Sequence, residues 1–292
     1  MTLYALGNFD GLHRGHAAVI ARAVECAAAH RIFAALATFA PHPRRFFKPN
    51  DAPFLITSPD VRDEAARALG MRSVLEIPFD NDLAALSPTA FVTDILVNRL
   101  HATGVVVGAD FCFGRDRAGT AEDLKRLGSA ADLIVEIVAP VGDGEKYSSS
   151  RIRQAIRAGD MVEARRQLGR PWRIDGTVQH GDARGRTIEV PTANIELGDL
   201  VRPAFGVYAA WAMTADGVHH PAAVNIGIRP TMGGTVERVE AHLLDFEGDL
   251  YGQPLILDVV SFIRPEQTFA DLGALKGQIA TDIATVRRML AS

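Results

Sequence analysis

Through the first 170 residues, short apolar runs alternate with longer stretches in which apolar side chains recur every three or four positions. The runs are residues 3–6, 32–39, 74–77, 105–107 and 133–138, each a few residues long, as buried strands are. Residues 16–29, 59–69, 88–100 and 120–128 carry the helical period between them. Strand and helix alternating at this spacing predict an α/β domain, a parallel sheet covered by helices. Such sheets bind ligands at the carboxyl ends of their strands, so the loops after Leu6, Phe39 and Val107 are the places to look.

From Trp172 the helical period disappears, Gly and Pro recur, and residues 174–180, 206–213, 222–226, 239–246 and 255–262 read as antiparallel strands of a small barrel or sandwich. One helix closes the chain. Leu272, Leu275, Ile279, Ile283, Val286 and Leu290 step by three and four and make a single apolar stripe, which is expected to pack on the barrel. Gly169 and Pro171 stop the preceding helix. The chain of 292 residues therefore divides into domains 1–169 and 170–292.

Composition narrows the class. Apolar residues at 48% and charged residues at 23% are ordinary for a folded chain. No apolar leader with basic flanks opens the sequence and no run approaches the ~18 apolar residues of a membrane span, so a cytoplasmic protein is expected. Cys26 and Cys112 form no CxxC pair, which argues against a disulfide scaffold or zinc finger. The net charge of −4 gives no general surface for nucleic acid or membrane. Its distribution is uneven: residues 1–169 hold 20 basic and 20 acidic residues, residues 170–292 hold 11 and 15. Basic groups meant for an anion must be clustered locally.

One such cluster is Gly7-Asn8-Phe9-Asp10-Gly11-Leu12-His13-Arg14-Gly15-His16, directly after the first strand and at the start of the first helix. His13 and His16 are three apart and project from one face of the first turn. The unpaired N–H groups and dipole there already favour an anion, and two imidazoles can add hydrogen bonds to phosphate oxygens. A second element, Tyr147-Ser148-Ser149-Ser150-Arg151-Ile152-Arg153, opens another helix with three hydroxyls and two arginines, a second grip for a polyanion.

Both elements resemble the signatures of the HxGH nucleotidyltransferase superfamily. Thr38-Phe39-Ala40-Pro41-His42-Pro43, Gly108-Ala109-Asp110-Phe111-Cys112-Phe113-Gly114 and Arg117-Ala118-Gly119 narrow the likeness to the FMN adenylyltransferase module of bacterial bifunctional FAD synthetases. The resemblance implies a Rossmann-like domain that uses His13 and His16 in catalysis. It also implies ATP-binding by Gly7, Asn8, Phe9, Asp10, Gly15, Asp110, Ser149, Ser150 and Arg153, and a flavin beside Phe39 and Phe111. Ser150 stands where the family usually has Thr, and Ala40 where an acidic residue is expected.

The C-terminal part contains no Gly-Lys dipeptide and so no P-loop. In Pro191-Thr192-Ala193-Asn194, Thr192 and Asn194 are neutral oxygen donors two apart, which on an extended segment face one side and suit a magnesium ion that keeps nucleotide phosphates in its shell. Glu240 and His242 likewise share a strand face. Gly176-Thr177-Val178, His180-Gly181-Asp182, Gly206-Val207-Tyr208, Asn225-Ile226-Gly227, Glu240-Ala241-His242, Asp245-Phe246 and Arg264-Pro265-Glu266 resemble the riboflavin kinase family, in its order. The resemblance implies that Glu240 is the catalytic base, that Gly181, Thr192 and Asn194 bind ATP, Thr192 and Asn194 with Mg2+, and that Arg264 and Glu266 bind flavin. Glu189-Val190 stands where the family writes Gly-Phe.

The sequence thus predicts a bifunctional enzyme of flavin cofactor biosynthesis: riboflavin and ATP give FMN in the C-terminal barrel, and FMN and ATP give FAD in the N-terminal domain. The alternatives are an FMN adenylyltransferase whose barrel is a degenerate kinase, or one whose barrel only senses or binds flavin. Expected partners are ATP, riboflavin, FMN and FAD, with self-association as a further option, and neither nucleic acid nor membrane.

Overall fold

Buried apolar runs bounded by turn residues pair as strands, and the amphipathic segments between them cover the resulting sheet. The computed structural model describes residues 1–179, 190–231 and 234–291. They form two units by packing: Met1–Ala52 with Pro59–Ser148, and Pro53–Ser58 with Ser149–Ser292.

In the first unit, β1 (Thr2–Leu6), β2 (Phe33–Ala40), β3 (Val74–Pro78), β4 (Ala102–Gly108) and β7 (Ile134–Val138) make a five-stranded parallel sheet in the order β3-β2-β1-β4-β7. A two-stranded hairpin of β5 (Cys112–Phe113) and β6 (Gly119–Thr120) follows β4. Helices α1 (Arg14–His30), α2 (Pro43–Phe47), α3 (Pro59–Ala68), α4 (Asn81–Ala85), α5 (Pro88–Ala90) and α6 (Ala121–Ser129) connect the strands. The single helix expected over 88–100 is instead α5 continued by a π-helical stretch, Phe91–Arg99, which buries Phe91, Val92, Ile95 and Leu96. The strand order reverses direction of growth at β1 and β4, and the crevice at that switch point is where an open α/β sheet takes its ligand.

In the second unit, β8 (Trp172–Thr177), β9 (Ala193–Ile195), β10 (Gly206–Met213), β11 (His219–Thr231), β12 (Gly234–Leu243) and β13 (Pro254–Pro265) form an antiparallel sheet in the order β8-β13-β10-β11-β12-β9. It curls until Gln179, just past β8, bridges Asn194 of β9. Ile174, Tyr208, Val224, Val239, Ala241 and Leu257 fill the interior, all at 1% exposure or less. Helices α7 (Ser149–Ala158) and α8 (Met161–Leu168) pack into the same core through Ile152, Ile156 and Leu168. So does Pro53–Ser58, an excursion from the N-terminal half: Val201 N–H donates to Leu55 O (2.7 Å), and Trp172 Nε1–H donates to Ile56 O (2.9 Å). The closing helix, α9 (Leu272–Leu290), packs through its second half. Val286 is buried against Ala209 and Leu244, while Leu272 is 55% exposed.

Where α7 meets α8, Glu163 accepts hydrogen bonds from Arg166 (2.6 and 2.8 Å) and Gln167 (2.8 Å) and faces Arg151 at 3.4 Å. The Arg166 hydrogen bonds outweigh desolvation and, with Gln167 and the arginine charges, hold the Glu163 carboxyl at about 2. A folded value below the unfolded one means the stabilisation is full above about 4.5 and is lost as pH falls toward 2. Glu163→Gln is therefore expected to destabilise the second unit by about 1–3 kcal/mol at pH 7, after allowing for solvent screening. Denaturant melts should show the gap between the two proteins narrowing from pH 5 to pH 3.

Candidate functional site

The loop after β1 reaches α1 through three left-handed residues, Phe9 (φ 50°), Gly11 (φ 84°) and Leu12 (φ 41°). Phe9 and Leu12 bear this strain because their side chains are buried, at 1% and 4% exposure. The loop is tied to β2 by Gly7 N–H to Ala37 O (3.1 Å) and by the Thr38 hydroxyl to Asn8 O (3.2 Å). Asp10 and His13 are buried within it.

His13 is the N-cap of α1. Its Nδ1 accepts from Gly15 N–H (3.1 Å) and His16 N–H (3.2 Å). A Cβ at position 15 would come within 3.1 Å of that ring, which is why glycine stands there. Acceptance at Nδ1 puts the ring proton on Nε2, so the cap fixes the tautomer. The His16 ring stacks on His13 with centroids 3.7 Å apart, and Phe9 meets the His16 ring edge-on at 5.2 Å. The two histidines are brought together as their spacing predicts.

Asp110 follows β4 on the other side of the switch point. Its carboxylate is ion-paired with Lys146, a residue the sequence reading did not single out. Partial burial pushes the Asp110 carboxyl upward, but the hydrogen bond and charge of Lys146, with weaker help from its own backbone and His13, leave it below the ordinary range. Beside Lys146, Tyr147 accepts from Arg14 Nη1 at 3.5 Å. Phe39 joins Phe46, Phe47 and Phe79 in an aromatic group at the ends of β2 and β3, with edge-on contacts of 5.1–5.8 Å, and Phe47 stays 64% exposed. Phe111 stacks on Phe113 at 5.7 Å. Phe46, Phe47 and Phe79 carry no motif and could be found only by folding the chain.

Ser149 and Ser150 open α7 in the second unit, and Arg153 lies one turn on. Arg153 Nε donates to Phe54 O (2.7 Å), with its guanidinium 5.5 Å from the Phe54 ring centroid.

The barrel's candidate residues fall in one row. Antiparallel pairing sets Arg264 opposite Val207, Val207 opposite Asn225, Asn225 opposite Glu240, and Glu240 opposite Asn194. Directly paired residues share a face. This row crosses five strands on the outer face, opposite the buried Val239 and Ala241, and spans about 19 Å at ~4.8 Å per strand. Asn194 Oδ1 is buried and has no hydrogen-bond partner among the described residues. Thr192 lies two residues before it, half-buried. Arg238 stands 3.9 Å from the Glu240 carboxylate, and His242 Nδ1 lies 2.8 Å from Pro191 O, pinning the segment that leads into β9. Arg264 is engaged by Asp282 of α9, and the Glu266 carboxylate occupies the space that a Cβ at Gly227 would fill. Gly181 and Glu189 lie outside the described residues. No group of three or more His, Cys, Asp or Glu able to hold a metal occurs among the described residues.

Residues 1–152 match the FAD synthetase family model, and residues 168–290 match the riboflavin kinase model. The chain is 41% identical to the bifunctional riboflavin kinase/FMN adenylyltransferase of Pseudomonas fluorescens, over 98% of this chain and 92% of that one. It is 37% identical to the protein of the same name from Escherichia coli strain K12, over 97% and 90%. A crystal structure described as a macrolide-efflux protein from Streptococcus pneumoniae superposes with a TM-score of 0.87 at 33% identity, covering 98% of this chain and 93% of that one. No helix among the described residues is long and apolar enough to cross a membrane.

Because its imidazole caps α1, His13→Ala should destabilise the first unit by about 1 kcal/mol, whereas His13→Asn, a good N-cap, should keep most of that stability. Thermal melts of the three proteins give the comparison. Equal melting of the Ala and Asn variants would contradict the cap.

Proposed function

The chain belongs to the bifunctional riboflavin kinase/FMN adenylyltransferase family, and from that premise we propose which residues carry each of its two reactions. The enzyme phosphorylates riboflavin to FMN with ATP and adenylylates FMN to FAD with release of pyrophosphate. The alternative of a barrel without kinase activity is the weaker reading, given a riboflavin kinase match over 168–290 and relatives named for both activities. We assign adenylyl transfer to residues 1–169 and phosphorylation to residues 170–292.

In the kinase half, the observation that carries the assignment is the register that sets Glu240 directly opposite Asn194. The Glu240 carboxylate takes the proton of the ribityl 5′-hydroxyl while that oxygen attacks the γ-phosphorus of ATP and ADP leaves. Asn194 and Thr192 bind the nucleotide and would hold Mg2+, for which the buried Asn194 Oδ1, without a hydrogen-bond partner among the described residues, is a fitting ligand. When bound, the ion neutralises charge on the ATP phosphates. Gly181 is assigned to the ATP site on sequence alone.

In the adenylyltransferase half, a phosphate oxygen of FMN attacks the α-phosphorus of ATP in line. His13 Nε2–H, the stacked His16 and the start of α1 stabilise the charge that builds on the phosphate oxygens. Gly7, Asn8, Phe9, Asp10 and Gly15 shape that loop, and Asp110 is assigned to ATP beside it; Ser149, Ser150 and Arg153 are assigned to ATP on sequence alone. Phe39 and Phe111, each set in an aromatic group, hold the flavin ring. The cysteines, both free, fit a cytoplasmic enzyme.

Chromatographic resolution of flavins after incubation with Mg2+ and ATP tests both assignments. Glu240→Gln should abolish FMN formation from riboflavin and leave FAD formation from FMN near wild type. His13→Asn should lower FAD formation by ~10²-fold or more, the size seen for loss of an oxyanion donor, and leave FMN formation intact. Unchanged rates in either variant would refute the corresponding role.

A further inference from the structure

Asp282 belongs to no motif, lies on the closing helix and is 4% exposed. Burial of a carboxylate is costly unless it is paired and its oxygens are filled. Here Arg264 Nε lies 3.0 and 3.1 Å from the two oxygens, Arg264 Nη2 lies 2.7 Å from Oδ2, and Gln278 Nε2 donates to Oδ1 at 2.9 Å. Arg264 Nη1 donates to Pro265 O at 3.0 Å. Three of the guanidinium's five N–H groups are thus directed at protein acceptors, and the charge of Arg264 is matched at contact distance. A guanidinium so held serves poorly as a ligand for a new anion and well as a rigid post.

What the post supports is the end of β13. Arg264 sits in the row that carries Glu240, and two residues later the Glu266 carboxylate lies over Gly227, a buried position with no side chain to displace it. Gly227 stands two residues from Asn225, the direct partner of Glu240. We propose that Asp282 is a positioning residue of the kinase site: through Arg264 it fixes the Arg264-Pro265-Glu266 segment, which the riboflavin kinase resemblance assigns to the flavin, and so places the Glu266 carboxylate at the β13 end of the row. This rests on the assignment of the row as the kinase site. It gives α9 a task beyond covering the barrel.

The test is steady-state riboflavin phosphorylation by the full chain. Asp282→Asn keeps the side-chain size and removes the charge. It should raise KM for riboflavin by about tenfold while KM for ATP stays within about twofold, a split that general loosening of the barrel would not produce. Glu266→Gln should raise the same constant, and the double variant should be no worse than the weaker single one, because both changes remove one effect. Additive losses in the double variant, or parallel changes in both KM values, would overturn the proposal. Should Asp282→Asn not fold, Gln278→Leu, which strips one hydrogen bond from Asp282 and leaves the ion pair, is expected to raise riboflavin KM about twofold to threefold on its own, and no change would count against the idea. A Glu240→Gln variant run alongside separates the two levels. If it loses FMN formation while the Asp282 and Gln278 variants behave as wild type, only this inference falls. If it keeps FMN formation, the site assignment fails first.

Discussion

The antiparallel register that places Glu240 between Asn225 and Asn194 governs the geometry of the barrel's candidate row. Side chains alternate faces along a strand, so a slip of one residue would turn Glu240 inward and expose Val239 and Ala241. Those two residues are fully buried, which makes the slip costly and fixes the row. On the far side, β9 is only three residues long and cannot hold its register by apolar burial alone. The Gln179–Asn194 bridge and the contact of His242 with Pro191 O anchor it from both edges. Core packing and site geometry are therefore one constraint: the residues that bury Val239 and Ala241 also aim the carboxylate between them.

In the first unit the corresponding constraint is the capping of α1. A serine or aspartate would cap the helix equally well, yet neither could present a ring N–H on its outer edge. Using His13 for the cap spends Nδ1 on the backbone and locks the ring in the Nε2–H tautomer. Gly15 makes this possible by leaving room for the ring, and the stacked His16 limits its rotation. Stability of the helix and the tautomer of the proposed anion donor come from one side chain.

Periodicity made most of this architecture legible. The strands of the parallel sheet and the strand Gly206–Met213 fall where apolar runs predict, because burial of a continuous run leaves few alternatives. Three features were not legible, each for a physical reason. The π-helical stretch Phe91–Arg99 has the apolar spacing of an α-helix, and only packing selects the wider turn. Pro53–Ser58 carries no signal of its own, and its place in the second unit depends on donors more than a hundred residues away, such as Trp172 Nε1–H to Ile56 O. The ion pair of Arg264 with Asp282 joins a motif residue to one on a helix whose pattern announces only an apolar stripe. At the sites, the motifs led to His13, His16, Asn194 and Glu240, while Lys146, Phe46, Phe47 and Phe79 become visible only once the loops are folded.

The uneven charge of the chain now has a structural meaning. In the barrel, Arg173 faces Asp258, Arg202 faces Glu237, Arg238 faces Glu240, Arg264 faces Asp282 and Arg287 faces Asp245. Two of these pairs, Arg264–Asp282 and Arg287–Asp245, clamp α9 to the barrel at different heights. Arginines so matched contribute little net positive potential to an incoming triphosphate. A row whose outward groups are a carboxylate and amide oxygens would repel ATP unless a cation accompanied it, and Asn194 Oδ1 is the kind of neutral ligand such a cation accepts. The first unit, with acidic and basic residues in balance, can instead meet phosphate with its own N–H donors. Under the proposed assignments the two halves solve the same electrostatic problem from opposite sides, one by donors built into a helix start and one by oxygens suited to a metal–nucleotide complex.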